Sequence, residues 1–133
     1  MVVMRSFPEY RRVASFADTD MAGVVHFTNI LKYVEEAEHA GFRILGFEVL
    51  SSEFGFPRVK VGCDYLKPVR FGDDLVVQLS VVEVGERKVS WEFEVLAGEH
   101  LAAKGQMVTV CVSRAGKAQK MPAEYMRALA AMI

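Results

Sequence analysis

Between Thr28 and Gly46 apolar residues return at helical spacing, and almost everything after them alternates in twos. Ile30, Val34, Ala37, Gly41 and Ile44 share one face, flanked on one side by Leu31, Glu38 and Leu45. That is the period of a helix with a single apolar stripe. Thr28 is the expected N-cap and Gly46 the stop. Glu35 falls just beyond the stripe, while Lys32, Glu36 and His39 are expected to point away. Residues 9–16 read as a first strand ahead of the helix, and Ser51 to Pro57 as loop. Val59, Val61, Cys63 and Tyr65 then alternate with polar residues, as do Leu75, Val77, Leu79 and Val81, then Val89, Trp91, Phe93 and Val95, then Val108, Val110 and Val112. Turns at Gly72–Asp74, Gly85–Glu86 and Ala97–His100 separate these runs, which predicts an antiparallel meander. Residues 122–132 fit a short closing helix with Pro122 in its first turn. The expected class is α+β, in one domain over residues 1–133. One helix cannot cover such a sheet, so an open apolar face and free edges call for self-association.

Composition narrows the function. Sixteen basic against seventeen acidic residues give a net charge of -1, which argues against bulk binding of nucleic acid or an anionic membrane. No apolar run approaches the ~20 residues that span a bilayer. Met1–Arg5 is too short for the apolar region of a signal peptide. Cys63 and Cys111 lack metal-ligand spacing and read as buried free thiols of a reducing compartment, so the expected location is the cytoplasm. His39 and His100 read as surface residues without a metal-ligand partner, and no metal site is expected.

The segment Asp18-Thr19-Asp20-Met21-Ala22-Gly23-Val24-Val25-His26-Phe27-Thr28-Asn29 has little reason to exist as packing. It sets carboxylates, a glycine and a histidine just ahead of a helix N-terminus, where unpaired N–H groups and a partial positive charge are available. A carboxylate beside such donors suits attack on a carbonyl whose oxygen becomes negative. By itself, each aspartate is also explained by local turn chemistry.

The order Asp-Thr-Asp-x-x-Gly-Val-Val, an aromatic-rich turn, Asn29 and a helix carrying Glu35 resembles the hotdog-fold thioesterases of the 4-hydroxybenzoyl-CoA thioesterase family. The blocks Phe56-Pro57-Arg58-Val59, Asp64 to Asp74 and Met121-Pro122-Ala123-Glu124 extend the likeness over nearly the whole chain. The resemblance implies a hotdog fold, a long helix wrapped by an antiparallel sheet of about five strands. It implies homodimers or homotetramers with acyl-CoA-cleaving sites at the dimer interface. CoA then enters as part of the substrate, with no separate cofactor. Asp20 takes the place of the family's key acid, as nucleophile or as general base for water, and Asp18 supports the loop. Glu35 matches the helix acid that faces the acyl pocket and orients water or substrate. Backbone at Gly23, Phe27 and Thr28 is assigned to carbonyl polarisation. Many members carry a Tyr-His pair here, with His seven positions past the key aspartate. In this chain His26 stands six positions past it and Phe27 seventh; His26 is a candidate catalytic residue that bonds a carboxylate, or else a satisfied loop histidine. Arg87 and Lys88 align with a basic pair that meets CoA phosphates in some members; the alternative is a solvated strand edge.

Two other functions compete. A hotdog hydratase or dehydratase needs a base beside the substrate α-carbon, and His26 is the single histidine of the motif. A non-catalytic acyl-CoA-binding protein needs no acid at all. Arg58, Lys60, Lys67 and Arg70 are weaker candidates for CoA phosphates; the alternative is pairing with Asp64, Asp73 or Asp74. Phe42, Phe47, Phe54 and Phe56 are pocket-lining or core residues.

Overall fold

A computed structural model describes residues 4–133, so the reading of Met1–Arg5 lies partly outside the described residues. Strand β1 (Tyr10–Val13) leads through a 3₁₀ turn at Phe16–Asp18 into α1 (Phe27–Leu45). There follow β2 (Phe54–Gly55), β3 (Arg58–Tyr65), β4 (Asp74–Val84), β5 (Lys88–Ala97), β6 (His100–Val110), β7 (Val112–Ser113) and α2 (Ala123–Ala130). Five antiparallel strands form one sheet in the order β1-β4-β5-β6-β3, with β2 and β7 as a separate ribbon. The α+β expectation of a long helix, about five strands and a short last helix matches this chain. No helix is long and apolar enough to cross a membrane among the described residues.

The meander holds only from β4 to β6. Strand β3 skips its sequence neighbour and pairs with β6, from Arg58↔Thr109 to Tyr65↔Ala103. The chain must then cross the end of the sheet to reach β4. It does so as a strap tied by Leu66 N–H to the Ala102 carbonyl at 2.8 Å and by Val25 N–H to the Val69 carbonyl at 2.7 Å. The strap therefore seats the Asp20 loop against the sheet, a link that turn-counting along the sequence does not reveal.

Helix α1 lies on the face formed by Leu75, Val77, Leu79, Val81, Val89, Trp91, Phe93 and Val95, all buried. Each large side chain so buried contributes roughly 1.5–3 kcal/mol. The buried stripe of α1 is Ile30, Tyr33, Val34, Ala37, Glu38, Gly41 and Phe42. Ile44, expected on that stripe, is exposed, and Tyr33 and Phe42 take core places instead. Gly41 admits the Phe7 ring, which would lie 2.1 Å from a Cβ there. Phe42, Phe54 and Phe56 are core, packed around Tyr125.

The other sheet face is polar. Gln78, Glu94, Lys104 and Asp64 lie across from one another on β4, β5, β6 and β3, and all are exposed. The expected open apolar face is thus absent, because the alternation puts charge there. The edge strand β3 carries exposed Val59, Val61 and Tyr65, and the other edge, β1, carries exposed Val13. Cys63 and Cys111 are both free thiols, Cys111 fully buried.

Candidate active site

The motif loop is held from below by Asp18. Its buried carboxylate accepts hydrogen bonds from the Lys32 ammonium and, at 2.6 Å, from the Tyr33 hydroxyl, with the Arg12 guanidinium 3.7 Å away. Its carbonyl accepts the His26 N–H and the Asn29 side-chain amide, each at 2.9 Å. The Lys32 and Tyr33 bonds hold this carboxyl below the usual carboxylate range against the penalty of burial. Lys32 and Glu36 do not point away as expected. Both Glu36 carboxylate oxygens accept from Arg12 Nη1, at 2.7 and 2.9 Å, and one also accepts from the Tyr10 hydroxyl, so this side of α1 is bolted to β1 and the loop.

Asp20 stands exposed on the rim. Its Oδ1 accepts the Ala22 N–H at 2.9 Å, an Asx turn, and Gly23 N–H closes the loop onto the Asp20 carbonyl at 3.0 Å. Gly23 has φ +79°, the left-handed region that glycine enters without strain. The Oδ2 atom of Asp20 makes no hydrogen bond among the described residues.

The helix starts one residue earlier than Thr28. His26 is the N-cap, and its Nδ1 accepts the Thr28 N–H at 3.3 Å. Asn29 N–H turns back to the His26 carbonyl at 2.8 Å. His26 is therefore bonded through Nδ1 within its own loop, with no carboxylate partner among the described residues, and Thr28 is a helix residue. A histidine can cap because an unprotonated ring nitrogen accepts as a hydroxyl oxygen does. Of the backbone donors at Gly23, Phe27 and Thr28, the first closes the loop and the third meets the His26 ring. Phe27 N–H alone of these makes no hydrogen bond among the described residues.

Asp20 and Phe27 line the same open cleft, of about 310 Å³, with Val24, Ile30, Tyr65 and Ala103. The Tyr65 hydroxyl donates to the Phe27 carbonyl at 2.9 Å, and the two rings meet edge to face. Burial, helped by Cys63, pushes the Tyr65 phenol up to about 12, so it stays a donor at neutral pH. Sequence reasoning passed over this tyrosine as strand alternation.

Glu35 is not in that cleft. It borders a second one, of about 200 Å³, between α1 and β3 with Leu31, Arg58, Val61 and Met107. Arg58 reaches Glu35 at 3.5 Å and Glu38 at 3.0 Å, rather than the expected aspartates. Arg87 and Lys88 lie at the opposite end of the sheet. Lys88 pairs with Val110, seven residues along β6 from Ala103 of the cleft, roughly 20 Å away at strand rise. One protomer does not bring them to Asp20; both are exposed, and Arg87 lies 3.8 Å from Glu86. No group of three or more His, Cys, Asp or Glu side chains is arranged to hold a metal among the described residues.

Residues 22–104 match the thioesterase superfamily, beginning two residues after Asp20. A 1,4-dihydroxy-2-naphthoyl-CoA hydrolase of Nostoc punctiforme is 32% identical over 124 residues, covering 89% of this chain and 83% of that protein. The solved structure of a 1,4-dihydroxy-2-naphthoyl-CoA thioesterase from Synechocystis superposes with TM-score 0.83 at 27% identity, over 92% of this chain and 94% of the other. A gentisyl-coenzyme A thioesterase structure superposes with TM-score 0.83 at 26% identity, over 89% and 98%.

Proposed function

The chain belongs to the thioesterase superfamily, and from that premise we propose that it hydrolyses an aromatic acyl-CoA thioester to the free acid and CoA, using Asp20 and the Phe27 amide. One observation carries this reading: an unbonded carboxylate oxygen and an unbonded helix-terminal N–H share one cleft. The thioester carbonyl oxygen sits against Phe27 N–H, where the helix dipole favours developing negative charge. Asp20 Oδ2 either takes a proton from the attacking water or attacks the carbonyl carbon itself. In both routes the tetrahedral oxyanion collapses, the carbon–sulfur bond breaks, and CoA leaves as thiolate. The first route gives the free acid directly; the second leaves an anhydride on Asp20, which water hydrolyses to release the acid and restore the carboxylate. A thioester is activated enough for a lone carboxylate to suffice. No cofactor is required, because CoA arrives with the substrate.

The aromatic acyl group follows from the relatives' substrates and from a cleft walled by Phe27, Tyr65, Val24 and Ile30. Two protomers pairing antiparallel through the free edge β3 complete the site. That geometry sets the partner's Arg58 end beside Tyr65, and so carries the partner's Glu35 toward the Asp20 cleft, where it orients water or substrate. The assembly is a homodimer, or a homotetramer built from it, acting in the cytoplasm. Arg87 and Lys88 reach CoA phosphates only from another protomer.

The test offers the purified protein a panel of aromatic, short-chain and long-chain acyl-CoAs and follows thiol release, alongside Asp20→Asn. Thiol release fastest from aromatic substrates, and reduced by 10²–10⁴-fold in the variant, is the expected result. Wild-type rates matched by the variant remove Asp20 from the reaction. Hydration of an enoyl-CoA without thiol release, or tight binding without turnover, replaces the hydrolase reading.

A further inference from the structure

Glu38 is the one charged side chain of α1 with no exposure at all, and nothing in the proposed reaction uses it. Its Oε1 receives Arg58 Nη2 at 3.0 Å; its Oε2 is buried with no hydrogen-bond partner. The same guanidinium extends Nη1 to the exposed Glu35 at 3.5 Å. Two carboxylates one helical turn apart thus share a single cation, one in the core and one at the cleft. The charged groups facing Glu38 are Arg58 from β3 and, from α1 itself, Glu35 and His39, whose Nε2 lies 3.9 Å from Oε1. No charged side chain of another strand reaches ion-pair distance of it among the described residues.

We propose that Glu38 is a positioning residue acting through Arg58 on Glu35: neutral, it yields the guanidinium to Glu35; charged, it draws the guanidinium inward and leaves Glu35 free. The argument is one of geometry and charge. A buried carboxylate with an orphaned oxygen is costly to ionise, and a neighbouring like charge makes it costlier. When Glu38 does ionise, Arg58 is the one cation bonded to it, and a guanidinium fork satisfies the buried partner ahead of the solvated one. Burial pushes the Glu38 carboxyl up to about 7, against the pull of Arg58, so the exchange falls within the neutral range. The inference rests on the reading of Glu35 as a site residue only for its effect on rate; the coupling itself is measurable without turnover.

The experiment labels glutamate side-chain carboxyl carbons in the full chain and follows them by NMR from pH 5 to 9 in wild type, Glu38→Gln and Glu35→Gln. The expected result is a Glu35 signal that moves when Glu38 titrates near pH 7, and loses that movement in Glu38→Gln. In Glu35→Gln, an exposed change that spares the core, the Glu38 midpoint falls. The pH profile of thiol release should show an inflection near 7 that disappears in Glu38→Gln and persists in His39→Asn. A Glu35 signal indifferent to Glu38, with the Glu38 midpoint unmoved in Glu35→Gln, overturns the coupling. Absence of thiol release from every acyl-CoA overturns the proposed reaction and leaves the NMR result standing.

Discussion

The Tyr65 hydroxyl donates a 2.9 Å hydrogen bond to the Phe27 carbonyl, so the last residue of β3 holds the first residue of α1. The free edge of the sheet and the candidate carbonyl-polarising amide are thereby one mechanical unit. Removing the hydroxyl leaves the ring contact but loosens Phe27. Tyr65→Phe is expected to lower kcat by ~5-fold, one hydrogen bond of about 1 kcal/mol, with KM changed little. Steady-state kinetics on the best acyl-CoA of the panel checks it; a raised KM with kcat untouched would place Tyr65 in binding alone.

An unpaired edge strand carrying exposed Val59 and Val61 invites a second copy. If the proposed pairing through β3 holds, Val61→Asp is expected to yield monomers that release no thiol, since Glu35 and Asp20 border separate clefts in one protomer. Sedimentation velocity beside the activity assay reads both. Active monomers would dissociate the site from the edge.

Asp18→Asn should destabilise the fold by about 2–4 kcal/mol at neutral pH, because it strips the carboxylate from Lys32, Tyr33 and Arg12. The sign with pH follows from a carboxyl held low in the folded state. Its stabilisation is complete above the unfolded value of about 4 and is lost as pH falls through the folded one. Denaturant titrations at several pH values should therefore show wild type and variant converging in acid.

Glu38 has the opposite sign. Its carboxyl sits at about 7 in the folded chain, above the unfolded value, so the folded state binds the proton more tightly. Stability conferred by the protonated form is present in acid and is lost as pH rises through about 7. The loss between the two values is of order 3 kcal/mol. Glu38→Gln should flatten that slope and be the more stable protein at pH 8. A slope that survives in the variant belongs to another group.

Gly23→Ala places a Cβ in open space, with nothing within 4 Å, so crowding costs nothing. The φ of +79° remains, and an alanine there costs about 1–2 kcal/mol. The loop is expected to relax, pulling Asp20 off the Asx turn and lowering kcat with a modest fall in melting temperature.

Much of the fold was legible in period alone. The 3.6-residue stripe of Ile30, Val34, Ala37 and Gly41 and the strict alternation of Val89, Trp91, Phe93 and Val95 each choose one element, because only one backbone buries all those side chains together. The motif was legible too: Asp20, Gly23 and a helix start are chain-local, and local spacing fixes which groups meet. Local reasoning failed wherever the partner was distant. Arg58 met Glu35 and Glu38, not the nearby aspartates, because β3 crosses to pair with β6 and delivers its first residue to α1. His26 displaced Thr28 as the cap because the carbonyl of Asp18 fixes its backbone N–H first. The sequence by itself determined the elements and the acid at the loop. The tertiary structure alone decided which carboxylate was buried against Arg58 and that Tyr65 would hold Phe27, since both depend on contacts between residues tens of positions apart that carry no periodic signal.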